Sequence, residues 1–77
     1  MQFQVGDLVV FTGREKEMGK YHPDYAQLIG QVGTVVEADD VAPFEYVAIF
    51  SEFPDSDGFC DYPCRADELS PLVDNIS

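Results

Sequence analysis

Seventy-seven residues make one domain, near the lower limit at which a hydrophobic core sustains itself. Fifteen acids against four bases give a net charge of −11, which leaves almost nothing to neutralise phosphates and argues against direct binding of DNA, RNA or an anionic membrane. No apolar run approaches the roughly 18–20 residues of a membrane span, and the start Met1-Gln2-Phe3-Gln4 lacks the basic and apolar stretches of a signal peptide, so the expected location is the cytoplasm.

The first predicted element is a strand from Phe3 to Thr12, with Gly6-Asp7 a turn or bulge just inside it and Leu8 to Phe11 its buried part. Gly13 to Ile29 follows as a long loop of mixed charge, with Gly19, Pro23 and the rings of Tyr21, His22 and Tyr25. Loops of this length in small domains are functional or packed on themselves. Asp24 to Leu28, directly after Pro23, reads as a single helical turn. Gly30 to Ala38 is the second strand. Its glycines at 30 and 33 open a β-branched run, the mark of a strand entered through a tight, close-packed bend.

Asp39-Asp40 with Pro43 marks the next turn, and Phe44 to Ser51 is the third strand. Glu52 to Pro63 is acidic and rich in turn residues, and reads as a hairpin tip whose second arm is Phe59 to Tyr62. Ala66 to Leu69 is expected to form a 3₁₀ turn, Ser70 to Val73 a last strand, and Asp74 to Ser77 a frayed end. The domain is expected to span residues 1–73.

Short strands at this spacing, with no long segment of helical period, define an all-β protein, and five strands close most naturally into a small, partly open barrel. The third strand is apolar on both sides: Val47 and Ile49 alternate with Tyr46, Ala48 and Phe50. A barrel this small has one interior, so one set must lie outside. The long loop is the expected cover for it, with a partner's groove as the alternative.

Four stretches carry a resemblance: Val5-Gly6-Asp7-Leu8-Val9-Val10-Phe11, Gly30-Gln31-Val32-Gly33-Thr34-Val35-Val36, Tyr46-Val47-Ala48-Ile49-Phe50 and Asp67-Glu68-Leu69-Ser70-Pro71-Leu72. In that order they resemble the SH3-like small β-barrels, and the KOW-type branch most closely. The resemblance implies five strands, a long first loop and a 3₁₀ turn before the last strand. Such barrels commonly bind RNA, ribosomes or RNA polymerase through basic loops, and others are accessory parts of enzymes. This chain departs from them in its few bases and acidic hairpin tip, so protein docking carries over and nucleic-acid binding does not.

No segment is expected to carry catalytic or cofactor chemistry. Cys60 and Cys64 offer two thiols, with His22 distant, where zinc takes about four ligands; Asp57 or Asp61 would have to complete the set. Reduced, partly buried thiols are expected, since a disulfide requires Cα atoms within about 7 Å and an oxidising compartment. Asp55-Ser56-Asp57-Gly58 looks like part of a calcium loop, but an EF-hand built on it would run from Phe53 to Cys64, neither of which serves at its required position. A turn closed by Asp side chains and Gly58 is the expectation, with a loose, weak cation site as the alternative. His22 is the only group expected to titrate near neutrality, and it reads as a solvated loop residue. Gly30 and Gly33 lead into a strand and not a helix N-terminus, so they cradle no phosphate.

Charge supplies the functional expectation. Up to Val36 there are four acids and three bases; from Glu37 onward, eleven acids face Arg65 alone. The chain is therefore expected to be a non-enzymatic module, with no cofactor and no metal, that docks a basic protein partner. The residues expected at the interface are Tyr46, Phe50, Glu52, Phe53, Asp55, Asp57, Phe59, Asp61 and Tyr62, rings as anchors and carboxylates as steering charges. Two alternatives stay open: a phage or mobile-element mimic of nucleic acid, and an accessory domain or small subunit of an enzyme whose acids only solubilise it.

Overall fold

Gly30 and Gly33 set the geometry of the sheet, each for a different reason. Gly30 has φ of 82°, a left-handed conformation that side chains disfavour, and its N–H closes a 2.8 Å bond to the Phe11 carbonyl. Gly33 points inward with no room for a methyl group: a Cβ there would lie 2.8 Å from the Phe50 ring and 2.9 Å from the Ile49 carbonyl oxygen. The ring of one strand's end thus occupies the space that a side chain on the neighbouring strand would need.

The computed structural model describes residues 2–39 and 44–72. Its strands are Leu8–Phe11 (β1), Val32–Ala38 (β2), Tyr46–Ile49 (β3), Asp61–Cys64 (β4) and Leu69–Pro71 (β5), joined as one antiparallel sheet in the order β4-β3-β2-β1-β5. The five-stranded all-β fold expected from the sequence is the one observed, and the 3₁₀ turn Ala66–Glu68 stands directly before β5. Register shifts between Val35 and Glu37, the signature of a β-bulge, and so increases the local twist of β2 against β3. Both sheet edges are blunted. The β4 edge carries Pro63 and β5 ends at Pro71, residues that cannot donate to a further strand.

Element bounds are shorter than the sequence suggested. Before β1, the Gln4 N–H is capped by Asp7 Oδ2 at 3.0 Å, so the chain turns there and pairing begins at Leu8. Phe3 is nevertheless buried, edge-to-face against Tyr46 with centroids 5.2 Å apart. The second hairpin arm lies at Asp61–Cys64 and not Phe59–Tyr62, because Phe59 is held in the turn by Asp55. Within the long loop, the helical turn is Pro23–Ala26 (α1), and a 3₁₀ segment at Glu15–Lys20 that the sequence did not announce precedes it. Residues 40–43 of the expected turn, Val73 of the expected last strand and the tail 74–77 lie outside the described residues.

The inward set on β3 is Tyr46 and Ala48, continued by Phe50; with Val9, Phe11, Val35, Tyr62, Cys64 and Leu69 they form the core. Val47 is half-buried and Ile49 exposed on the other side. The expectation that the long loop covers this outer set is corrected. Its rings join the inner set instead: Tyr21 and Tyr25 pack on Phe11 with centroids 5.7 and 5.9 Å apart, and Leu28 is fully buried. A loop that carries two tyrosines and a leucine loses more water-exposed area against aromatic neighbours than over a valine and an isoleucine.

Candidate protein-docking face

The arm between β3 and β4 is built by short-range hydrogen bonds that its sequence dictates. Asp55 Oδ1 accepts from the N–H groups of Asp57 and Phe59, both at 2.9 Å, while the Gly58 N–H donates to the Asp55 carbonyl at 3.0 Å. Gly58 takes φ of 88°, so the aspartate turn is closed by a residue that tolerates it. The expected Asp-and-Gly turn is therefore the one present. Among the described residues, no three His, Cys, Asp or Glu side chains are grouped to hold a metal ion.

The first loop braces this arm from one side. Ser56 donates its hydroxyl to Asp24 at 2.8 Å and its N–H at 3.2 Å, and these bonds hold the Asp24 carboxyl below its ordinary range. Gln27 Nε2 donates to the Pro54 carbonyl at 2.9 Å and to the Tyr62 hydroxyl at 3.1 Å. Tyr62 in turn donates to the Phe53 carbonyl, and burial raises its phenol above the ordinary value. His22 caps α1, its Nδ1 accepting the Asp24 N–H at 3.1 Å. His22 is solvent-exposed, as expected, and also starts the single helical turn whose Asp24 and C-terminal Gln27 hold the acidic arm.

The structure divides the expected interface residues into two groups. Tyr46, Phe50 and Tyr62 are corrected: they are 2, 0 and 2% exposed, members of the core, and cannot anchor a partner. Their parity along the strands turns them inward, where Tyr46 also accepts the Phe3 N–H at 3.1 Å. Phe53 is half-buried against the core, and Asp55 is half-buried with one oxygen committed to the turn. Glu52, Asp57, Phe59 and Asp61 are exposed, Phe59 at 62%. Among the described residues the ion pairs are Arg14 with Glu17 and with Asp67, and His22 with Asp24; none reaches the carboxylates of Glu52, Asp57 or Asp61.

Both cysteines are free thiols. Cys64 is fully buried, and burial pushes its thiol up from 9.0 to about 12, so it is neither a ready nucleophile nor a ready ligand. Residues 61–64 run as a strand at roughly 3.3 Å per residue, which holds the Cα atoms of Cys60 and Cys64 well beyond the roughly 7 Å a disulfide allows.

A groove that the sequence did not single out opens beside the first loop. It has a volume of about 200 Å³ and is lined by Glu17, Tyr21, Tyr25, Phe44, Arg65 and Glu68. The Tyr21 and Tyr25 rings stack with centroids 6.3 Å apart, and the Arg65 guanidinium lies 5.5 Å from the centroid of Phe44, itself 45% exposed. The Tyr25 hydroxyl donates to the Pro63 carbonyl at 2.8 Å, and burial raises its phenol well above the ordinary value. Two of the three rings noted in the loop, Tyr21 and Tyr25, line this groove and His22 does not, while Phe44, Arg65 and Glu68 come from distant segments. A second groove, of about 380 Å³, is lined by Gly13, Arg14, Glu15, Lys16 and Asp67, with Arg14 Nε 3.1 Å from Asp67.

What the fold and this face define is a small antiparallel β domain with a rigidly braced, negatively charged arm. Compared with known proteins, the chain matches no family model and no curated protein. Among the described residues, no helix is long and apolar enough to cross a membrane.

Proposed function

We propose that the protein is a non-enzymatic docking module of the SH3-like, KOW-type kind that binds a basic segment of a protein partner through the arm between β3 and β4. The observation that carries this is Phe59, the most exposed ring of the arm, flanked by the unpaired carboxylates of Asp57 and Asp61 with Glu52 nearby in sequence. An exposed ring inside a negative field is the pattern of an interface anchor with steering charges around it. The bonds from Asp24 and Gln27 hold the arm in place before binding, which lowers the ordering cost of association. Strand order and the 3₁₀ turn before β5 support the likeness to SH3-like barrels; with the arm acidic, the likeness carries protein docking and not nucleic-acid binding.

The test is affinity capture from the native cell with mass-spectrometric identification, run in parallel on the wild type and on an E52Q/D57N/D61N variant. A basic protein retained by the wild type at low salt, released at high salt and lost from the variant is the expected result. A partner held equally by both chains at all salt concentrations overturns the proposal. Displacement of the captured partner by duplex DNA would shift the assignment to mimicry of a nucleic acid.

A further inference from the structure

The groove beside the first loop has the composition of a cation seat, and this chain already presents it with a cation. Its rings are Tyr21, Tyr25 and Phe44, and its carboxylates are Glu17, which also pairs with Arg14 at 3.5 Å, and Glu68. Glu68 is buried, its oxygens accepting from the Tyr21 hydroxyl and the Arg65 N–H, and it contributes its charge through the floor. The phenol hydroxyls are committed elsewhere, Tyr21 to Glu68 and Tyr25 to the Pro63 carbonyl, so the walls offer π-surface and negative charge and no free hydroxyl donor from either tyrosine. Drug-sized ligands occupy pockets of about 300 Å³ and more, so a volume of about 200 Å³ suits a group of side-chain size and not a drug-sized molecule. Arg65 shows what the site attracts: its guanidinium sits over the Phe44 ring, and among the described residues no carboxylate pairs with it.

We infer that this groove receives a lysine or arginine side chain of the docked partner, with Arg65 its intramolecular occupant at rest. The inference rests on the docking function proposed above and names where the partner's basic side chain is read. A positively charged side chain complements both the rings and the −11 net charge of the chain, whereas a neutral side chain uses only the rings. Arg65 occupies the lip by the same cation–π contact that an incoming cation makes, so the two compete.

The test is an NMR titration of the intact protein with a short Lys/Arg-rich peptide and with its glutamine-substituted counterpart. Three variants accompany it: Phe44→Leu, Phe44→Tyr and Arg65→Gln. Phe44 is exposed enough that its replacement leaves the core intact, which the dispersion of the amide spectrum checks directly. Expected are shifts at Tyr21, Tyr25 and Phe44 with the basic peptide, none with the neutral one, and a loss of about two- to five-fold in affinity for Phe44→Leu. Phe44→Tyr should keep wild-type affinity and Arg65→Gln should tighten it. Unchanged affinity in Phe44→Leu, or equal binding of the neutral peptide in the groove, overturns the inference. Shifts confined to residues 52–61 overturn it while leaving arm docking intact; no binding of the basic peptide at low salt overturns both.

Discussion

The Tyr21 hydroxyl donates a 2.6 Å hydrogen bond to Glu68 Oε2, joining the first loop to the 3₁₀ turn across 47 positions of sequence. Glu68 is the one buried charged side chain in the described core, and it is fully engaged: Oε1 accepts the Arg65 N–H at 2.8 Å, and its backbone carbonyl takes the N–H groups of Thr12 and Gly13. The Tyr21 oxygen also accepts the Arg14 N–H at 2.9 Å. Removing either partner therefore strands a group that water cannot readily reach. Tyr21→Phe should cost about 1–2 kcal/mol and Glu68→Ala about 2–4 kcal/mol, with Glu68→Gln in between, as read from urea denaturation midpoints. Equal stability of the three variants and the wild type would show that the loop is held by ring packing alone.

Alkali should unfold the protein in a defined interval. Burial pushes the Cys64 thiol up from 9.0 to about 12, and burial together with the bond to Glu68 pushes the Tyr21 phenol up from 10.0 to about 12. In both cases the unfolded chain releases its proton first. Stability is then fully present below about pH 9 and falls as pH rises toward 12, the thiol acting alone up to pH 10 and the phenols joining above it. Denaturation midpoints between pH 8 and pH 11 measure this, with Cys64→Ala as the control. That variant should start less stable, because it leaves a cavity, yet decline less between pH 9 and pH 10; a decline parallel to the wild type would rule the thiol out.

Gly33→Ala should destabilise the fold by about 1–3 kcal/mol, the usual cost of overpacking a tight core. The added methyl meets the Phe50 ring and the Ile49 carbonyl at distances that real Cβ atoms do not show, so one strand must move. The double variant Gly33→Ala/Phe50→Leu should lose less than the sum of the two single losses, since the smaller side chain vacates the contact. Additive effects in that cycle would locate the strain elsewhere.

Rings in the core and rings in the arm should answer truncation in opposite ways. Phe50→Ala removes a fully buried side chain that packs edge-to-face on Phe11 and Tyr62, and should cost about 3–5 kcal/mol, enough to unfold a domain of this size. Phe59→Ala should change stability by less than about 0.5 kcal/mol while weakening capture of the basic partner. Thermal melts of the two variants, alongside the capture assay, separate folding from docking.

Most of the fold could be read along the chain because its determinants are local. Turn residues at Gly6-Asp7 and Asp55 to Gly58, the apolar runs of β1, β2 and β3, and the glycines at 30 and 33, just before and just inside β2, each act within a few neighbours, and the strand plan follows from them. The aspartate turn at the arm was legible for the same reason. Period-two alternation on β3, however, names two apolar sets without saying which one faces inward, and the choice fell to partners far away: Phe50 needed the space above Gly33, and the loop rings needed Phe11. That choice put Tyr46, Phe50 and Tyr62 in the core and left Phe59 exposed on the arm, where the proposed docking face lies. The groove beside the first loop lies further still from any window of sequence, since the loop at residues 17–25, Phe44 and the turn at 65–68 meet only when β1, β3 and β5 have taken their places in the sheet. Backbone conformation is chosen by neighbours a few residues apart; burial and concavity are chosen by whichever distant surfaces exclude water together.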